Sequence, residues 1–134
     1  QLHRRQRQMC IRDRGNIDDV LSMNKLSSDT VIIITDSTDF VVFDNGTKKI
    51  KTITGHIRPI KDFLLIDENL FFTWADGTIK LWNIHTMECL MTYTGDSIDR
   101  IIPLSKKTFL TIDMYGNYKE LKLENISLIK NSKH

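Results

Sequence analysis

The sequence predicts an all-β protein made of about three small antiparallel sheets, each of four strands, stacked as an open arc. Three observations support this prediction. Similar units recur about every 40 residues, each unit divides into four short strands separated by turns, and several of these strands are apolar at every position. A repeat of this length indicates one supersecondary unit stacked on copies of itself.

The repeat is marked by residues that return at a nearly constant spacing. Two sets carry it: Gly15, Gly55 and Gly95, 40 residues apart, and Phe43, Trp82 and Leu121, 39 residues apart. Gly77 and Gly116 are also 39 residues apart. The units therefore span approximately residues 15–54, 55–94 and 95–134.

The middle unit has the clearest strands. They are predicted at Ile60–Ile66, Leu70–Trp74, Thr78–Ile84 and Glu88–Tyr93. The separators are rich in Asp, Asn, Gly and Thr, the residues that favour tight turns, and Asp76-Gly77 is typical of a hairpin.

Several strands have no polar face. Val31–Ile34, Phe40–Phe43 and Leu70–Phe72 are continuous apolar runs, which indicates sheets covered on both sides. Parallel α/β sheets are also covered on both sides, but their crossover helices need a dozen residues or more, and the spacers here are far shorter. Short hairpins with two buried faces predict a stack of small sheets, as in the blades of a β-propeller.

The second unit resembles a WD repeat. Gly55-His56 opens it, and the string DGTIKLW, from Asp76 to Trp82, is followed by Asn83 where the family usually has Asp. The resemblance implies a propeller that binds other proteins. It also implies a hydrogen-bonded chain through His56, Asp76 and Trp82, completed by a hydroxyl on the second strand. The expected hydroxyl position falls on Phe72, and Thr73 is one place away.

The flanking units depart from the family pattern. The positions of His, Asp and Trp are held by Asn16, Ser37 and Phe43 in the first unit and by Asp96, Tyr115 and Leu121 in the third. We expect these two units to be stabilised by apolar packing alone.

The basic character of the chain comes from its first fourteen residues. The chain has 19 basic and 17 acidic residues, and residues 1–14 hold five arginines and one aspartate, which leaves 14 against 16. This stretch could be a nuclear-localisation signal or a nucleic-acid-binding arm. We favour an artefact, because RRQRQMCIRD resembles translated sequencing-adapter sequence, and we expect no nucleic-acid partner.

No pattern typical of catalysis, metal binding or a cofactor is present. The four histidines and two cysteines lack metal-ligand spacing, and the acidic pairs Asp18-Asp19 and Asp67-Glu68 are typical of solvated turns. We therefore predict a protein that is not an enzyme and has no cofactor or metal. The absence of a signal peptide and of a long apolar run predicts a cytoplasmic or nuclear protein, neither secreted nor membrane-bound.

The candidate partner-binding residues lie in loops that a propeller gathers on one face. They are Arg58, Trp74, Asp99 and Tyr115, of types that include those enriched in binding hot spots. Trp74 has an alternative role in the core, because Leu70, Phe72 and Trp74 share one strand face.

Three units are too few for a closed ring, since propellers have ~4–8 blades. We therefore expect a fragment whose remaining blades belong to the same chain, with His134 opening a fourth unit, 78 residues after His56. The leading hypothesis is a non-catalytic interaction scaffold. The alternatives are a regulatory propeller attached to an enzyme domain, such as a kinase, and a catalytic propeller with a hydrolase site at its axis.

Overall fold

The computed structural model describes residues 15–95 and 97–123, a region made of strands and turns without any helix. The eleven strands of this region are β1 (Val20–Lys25), β2 (Thr30–Thr35), β3 (Phe40–Asp44), β4 (Lys49–Ile53), β5 (Ile60–Leu65), β6 (Leu70–Ala75), β7 (Thr78–Asn83), β8 (Cys89–Thr94), β9 (Arg100–Pro103), β10 (Thr108–Ile112) and β11 (Tyr118–Lys122).

The strands form three separate antiparallel sheets in chain order. The first sheet is β1-β2-β3-β4, the second is β5-β6-β7-β8, and the third contains β9, β10 and β11 within the described residues. Each strand pairs with its neighbour in sequence, and none of the sheets closes on itself. The predicted all-β fold, a partial propeller with an open arc of blades, is confirmed.

Some of the sequence predictions fall outside the described residues. They concern the stretch 1–14, Asp96 in the third unit, and His134 as the start of a fourth unit.

In the second sheet, the strand ends differ from the predicted ones by no more than one residue. The hairpin between β6 and β7 begins where Ala75 pairs with Thr78, which leaves Asp76 and Gly77 to make the turn. Gly77 has a φ of +83°, a left-handed conformation that a residue with a Cβ adopts only with strain. The Asp-Gly pair therefore fixes the register of this hairpin.

The first apolar core lies between the first and second sheets. Phe40 of β3 is fully buried there, and its ring meets those of Phe71 and Trp82 edge-on, with centroids 5.8 and 5.0 Å away. The other members of this core are Leu26, Ile32, Ile34, Val42, Ile53, Ile60 and Ile84. Residues of alternate positions on β2 and β3 thus cover one face of the second sheet.

The second core lies between the second and third sheets. Phe72 and Phe109 meet there edge-on at 5.0 Å between centroids. The other buried members are Leu70, Trp74, Ile79, Leu81, Ile98, Ile101 and Leu123. Phe71 and Phe72, adjacent in β6, therefore point to opposite cores, which explains why this strand is buried at all six positions.

The connection into the second sheet is bound to the β2–β3 turn of the first. The Thr38 carbonyl accepts a hydrogen bond from the His56 amide at 2.7 Å, and the Asp39 carboxylate accepts one from the Gly55 amide at 3.1 Å. A Cβ added at Gly55 would lie 2.8 Å from the Thr38 carbonyl oxygen. Glycine is therefore required here by the close approach of two backbones.

Phe40→Ala should destabilise the chain by about 3–5 kcal/mol, because the cavity removes contacts with both aromatic partners across the sheet interface. Urea unfolding followed by tryptophan fluorescence measures this effect. Leu104→Ala is the matched control, since Leu104 is 55% exposed, and it should cost less than about 1 kcal/mol. Equal losses of unfolding free energy in the two variants would contradict the role of Phe40 in packing the first sheet against the second.

Candidate interaction site

Most of the site residues predicted from the sequence lie in two groups. The first, which we call the interface network, consists of His56, Thr73, Thr78 and Trp82 on the face of the second sheet that meets the first. The second is a groove along the first strands of the three sheets. We call it the inner groove, and its lining includes Arg58, Trp74 and Asp99.

The interface network satisfies a buried imidazole with two hydroxyls. His56 Nε2 lies 2.7 Å from Thr73 Oγ1, and His56 Nδ1 lies 2.6 Å from Thr78 Oγ1. The Trp82 indole donates from Nε1 to the same Thr73 hydroxyl at 2.8 Å. Both ring nitrogens thus have a partner in either neutral tautomer, as a buried polar group requires.

Burial, and to a smaller extent the positive charge of Lys80, lower the pKa of His56 from 6.5 to about 4. The imidazole is only 7% exposed, so the charged form loses most of its hydration. His56 is therefore neutral at physiological pH, and its imidazole bonds the connection between the two sheets to β6 and β7.

The network differs from the expected one at the position of Asp76. The Asp76 carboxylate does not bond to His56. It accepts a hydrogen bond from Ser97 Oγ at 2.6 Å and lies 3.3 Å from Lys61 Nζ. These bonds, that from Ser97 first, lower the pKa of Asp76 below its usual value. Thr78, two residues after Asp76, is the partner of His56 Nδ1 instead. It lies at the start of β7, whereas Asp76 lies in an exposed turn.

Thr73, not Phe72, supplies the hydroxyl. Antiparallel pairing places Trp82 opposite Phe71 and Lys80 opposite Thr73, so Thr73 and Trp82 share a face. Phe72 pairs with Leu81 and points to the other core. Pairing the residues outward from the Asp76-Gly77 turn puts Thr73 on the same face as Trp82, so this hydroxyl can be identified from the sequence.

The inner groove has a volume of about 960 Å³ and touches all three sheets. Leu21 of β1 lies on one side, the segment 58–64 forms the middle, and the segment 99–102 lies on the other side. Since β1, β5 and β9 are the first strands of their sheets, the groove follows one common edge of the arc.

Lys61 joins two carboxylates in this groove. Its ammonium lies 3.3 Å from Asp76 and 4.0 Å from Asp99. The pairing of β5 with β6 shifts by one residue between Ile60 and Asp62, so Lys61 is the extra residue of a bulge. Bulges redirect a side chain away from its regular alternation, and here the lysine reaches the turns of two sheets.

The four candidate contact residues have different environments. Trp74 is 4% exposed in the second core, and its Nε1 donates to the Asp99 carbonyl at 3.1 Å, so packing is the role that the structure shows. Arg58 is exposed at the groove, and the Asp99 side chain is 52% exposed. Tyr115 is 82% exposed and is not part of the groove lining.

Tyr115 is presented by a rigid turn between β10 and β11. The Asp113 carboxylate accepts hydrogen bonds from the amides of Tyr115 and Asn117, both at 2.9 Å, and from the Asn117 side chain. Gly116 has a φ of +88°, which completes the turn. The ring of Tyr115 therefore projects into solvent from a well-supported backbone.

Exposed apolar side chains concentrate at one end of the sheets. This end, the upper face, contains the starts of β1, β5 and β9 and the turns β2–β3, β6–β7 and β10–β11. Its exposed apolar residues are Val20, Leu21, Ile57, Met114, Tyr115 and Tyr118. Ile57, at 91% exposed, was not singled out from the sequence and lies beside Arg58.

No group of three or more His, Cys, Asp and Glu side chains within residues 15–95 and 97–123 could hold a metal ion. The same residues include no helix that is long and apolar enough to cross a membrane.

Comparison with known proteins supports the fold more strongly than it supports a family. No protein-family profile matches the sequence. Human apoptotic protease-activating factor 1 is 34% identical over 58 residues, which is 42% of this chain and 5% of that protein. The chain thus spans a small fraction of the curated relative that it matches. A solved structure, the computationally designed Ika4 protein, superposes with a TM-score of 0.63 and 20% identity, covering 78% of this chain and 66% of that one.

Thr73→Val should destabilise the chain by about 2–4 kcal/mol, because it keeps the shape but leaves the Trp82 Nε1 and the His56 Nε2 each without its buried partner. Thr73→Ser retains the hydroxyl and should recover most of the loss. Thr52→Val, on exposed β4, is the matched control and should stay within about 0.5 kcal/mol. Urea midpoints measure all three, and a neutral Thr73→Val would contradict the network.

Lowering the pH should destabilise the fold through His56. Its pKa is about 4 in the folded chain and 6.5, the ordinary value for histidine, in the unfolded chain. As the pH falls, the unfolded chain therefore binds the proton first. The contribution of His56 is complete above about pH 6.5 and is lost as the pH falls toward 4, by at most about 3 kcal/mol.

Urea unfolding at pH 7 and pH 4.5 measures this dependence. His56→Gln should show a smaller loss between the two pH values than the wild type, whereas His85→Gln, on an exposed turn, should lose as much as the wild type. Parallel losses in the wild type and His56→Gln would exclude His56 as the source.

Proposed function

We propose that this chain is part of a WD-repeat propeller that binds protein partners through its upper face and inner groove, as a scaffold and not as an enzyme. The observation that carries the proposal is the inner groove, where Arg58 and Asp99 are accessible to a partner. The WD assignment is supported by Gly55-His56, by the DGTIKLW string, and by the bonding of His56 and Trp82 to one hydroxyl.

The distribution of exposed apolar groups supports protein binding. Soluble proteins seldom leave several large apolar side chains exposed close together without a use for them. Ile57, Met114 and Tyr115 are each more than 70% exposed, and they belong to loops of the upper face. Tyrosine and arginine on supported loops are also typical of the central contacts of protein interfaces.

The proposal includes further blades from the same chain. The face of the first sheet that points away from the second is apolar: Ile33 and Phe43 hold the positions of Thr73 and Trp82 in the repeat. On the same face, Met23 is 60% and Ile50 is 51% exposed. Such a face resembles the sheet interfaces seen within the chain and is suited to contact with another blade.

A double variant, Arg58→Ala with Tyr115→Ala, should reduce recovery of at least one bound protein by about fivefold or more in affinity purification from cell extract. The control variant, Leu104→Ala with Lys106→Ala, changes the β9–β10 turn at the opposite end of the sheets and should retain all partners. Unfolding midpoints of both variants show that the fold is kept. An unchanged set of recovered proteins in the first variant would contradict binding through the upper face.

A further inference from the structure

The charged side chains of the inner groove are not equally engaged. The groove contains three cations, Arg58, Lys61 and Arg100, and three carboxylates, Asp62, Asp76 and Asp99. Lys61 is paired with Asp76 and Asp99, and Asp76 also accepts the Ser97 hydroxyl. The remaining carboxylate, Asp62, accepts a hydrogen bond from the Phe63 amide at 2.8 Å.

The two arginines have no such partners within the described residues. Neither Arg58 nor Arg100 forms an ion pair or a side-chain hydrogen bond there, and both line the groove with exposed side chains. Arg58 acts on Asp76 only as a nearby positive charge, the weakest of the influences on that carboxyl. Among the described residues, the groove therefore offers two guanidinium groups without a partner, whereas Asp76 and Asp99 pair with Lys61. Within the same region, Asp62 bonds only to the amide of the next residue.

The floor between these charges is partly apolar. Leu21 is 61% and Ile102 is 42% exposed, and Phe63 and Leu64 are half-buried beside them. A ligand that fills this space must combine anionic groups with apolar side chains. An extended peptide does so, because its alternate side chains point in opposite directions.

We infer that the inner groove binds an extended segment of a partner protein whose carboxylate side chains pair with Arg58 and Arg100 and whose apolar side chains lie against Leu21, Phe63 and Ile102. This inference rests on the proposed function and adds the chemistry of the partner. Guanidinium groups suit this role because they bind a carboxylate through two parallel hydrogen bonds.

The same charges disfavour a nucleic acid. Phosphodiester chains bind to surfaces with an excess of positive charge, which releases counterions along the strand. Here three carboxylates balance three cations, so a continuous polyanion meets Asp62, Asp76 and Asp99 as well as the arginines. Carboxylates at separate positions of a peptide can meet the arginines individually, which favours the peptide.

The test uses the full 134-residue chain and a fluorescein-labelled peptide of about eight alternating leucine and glutamate residues. Fluorescence anisotropy compares it with a peptide in which every glutamate is replaced by glutamine. We expect the glutamate peptide to bind at least about tenfold more tightly, and its affinity to fall with added NaCl.

Charge-removing variants locate the binding. Arg58→Gln and Arg100→Gln should each weaken binding of the glutamate peptide by about fivefold or more, and leave the glutamine peptide unchanged. Lys106→Gln is the matched control, since it removes one positive charge from a turn outside the groove. It should bind as the wild type does.

The outcomes separate the inference from the proposed function. Equal binding of the two peptides overturns the preference for carboxylates but leaves a peptide-binding groove. Absence of binding by both peptides overturns the inference, while the upper-face purification experiment still decides the proposed function. Tighter binding of a single-stranded oligothymidylate of equal charge, weakened by Arg58→Gln, would replace the peptide with a nucleic acid.

Discussion

The fold depends on the burial of both faces of the narrow middle sheet. β6 is buried at all six positions, and Phe71 and Phe72 carry its apolar surface into two different cores. A four-stranded sheet with two apolar faces has no solvated side, so a neighbouring sheet on each face is the arrangement that removes this surface from water. The open arc follows from this requirement, and the turn-to-connector hydrogen bonds at Thr38 and Asp39 fix where the first sheet meets the second.

A polar network inside such an interface adds specificity to the packing. Phe40 packs across the interface, whereas the bonds of His56 to Thr73 and Thr78 fix the connection between the sheets against β6 and β7. The His56 amide ties the same connection to Thr38 of the first sheet. The first sheet has Phe43 at the position of Trp82 and Ile33 at the position of Thr73, so its outward face lacks both polar members of the network. The middle unit is therefore where the resemblance to WD repeats is strongest and where a buried polar network holds the connection between two sheets.

The repeat and the strands could be predicted because they depend on local chemistry. The Asp76-Gly77 turn and the continuous apolar runs determine pairing and burial without knowledge of distant contacts. The sequence predicts the network less well. The family spacing places the hydroxyl at Phe72, and Asp76, which the resemblance pairs with His56, lies in an exposed turn beside Lys61 and Ser97. Lys61 could not be identified from the sequence, since the bulge that redirects it breaks the regular alternation of β5.

The inner groove results from the same stacking that makes the cores. Strands β1, β5 and β9 each have one edge without a further strand, and the arc brings the three edges together around a common space. Ile60 and Ile101 beside these edges belong to the cores, whereas Arg58 and Arg100 are exposed to the groove, where charged residues are tolerated. Their positions are nevertheless fixed by strands that the two cores hold in place, which gives the groove a defined shape before any partner binds. Rigidity of this kind lowers the entropic cost of association, so a surface built in this way is suited to recognition.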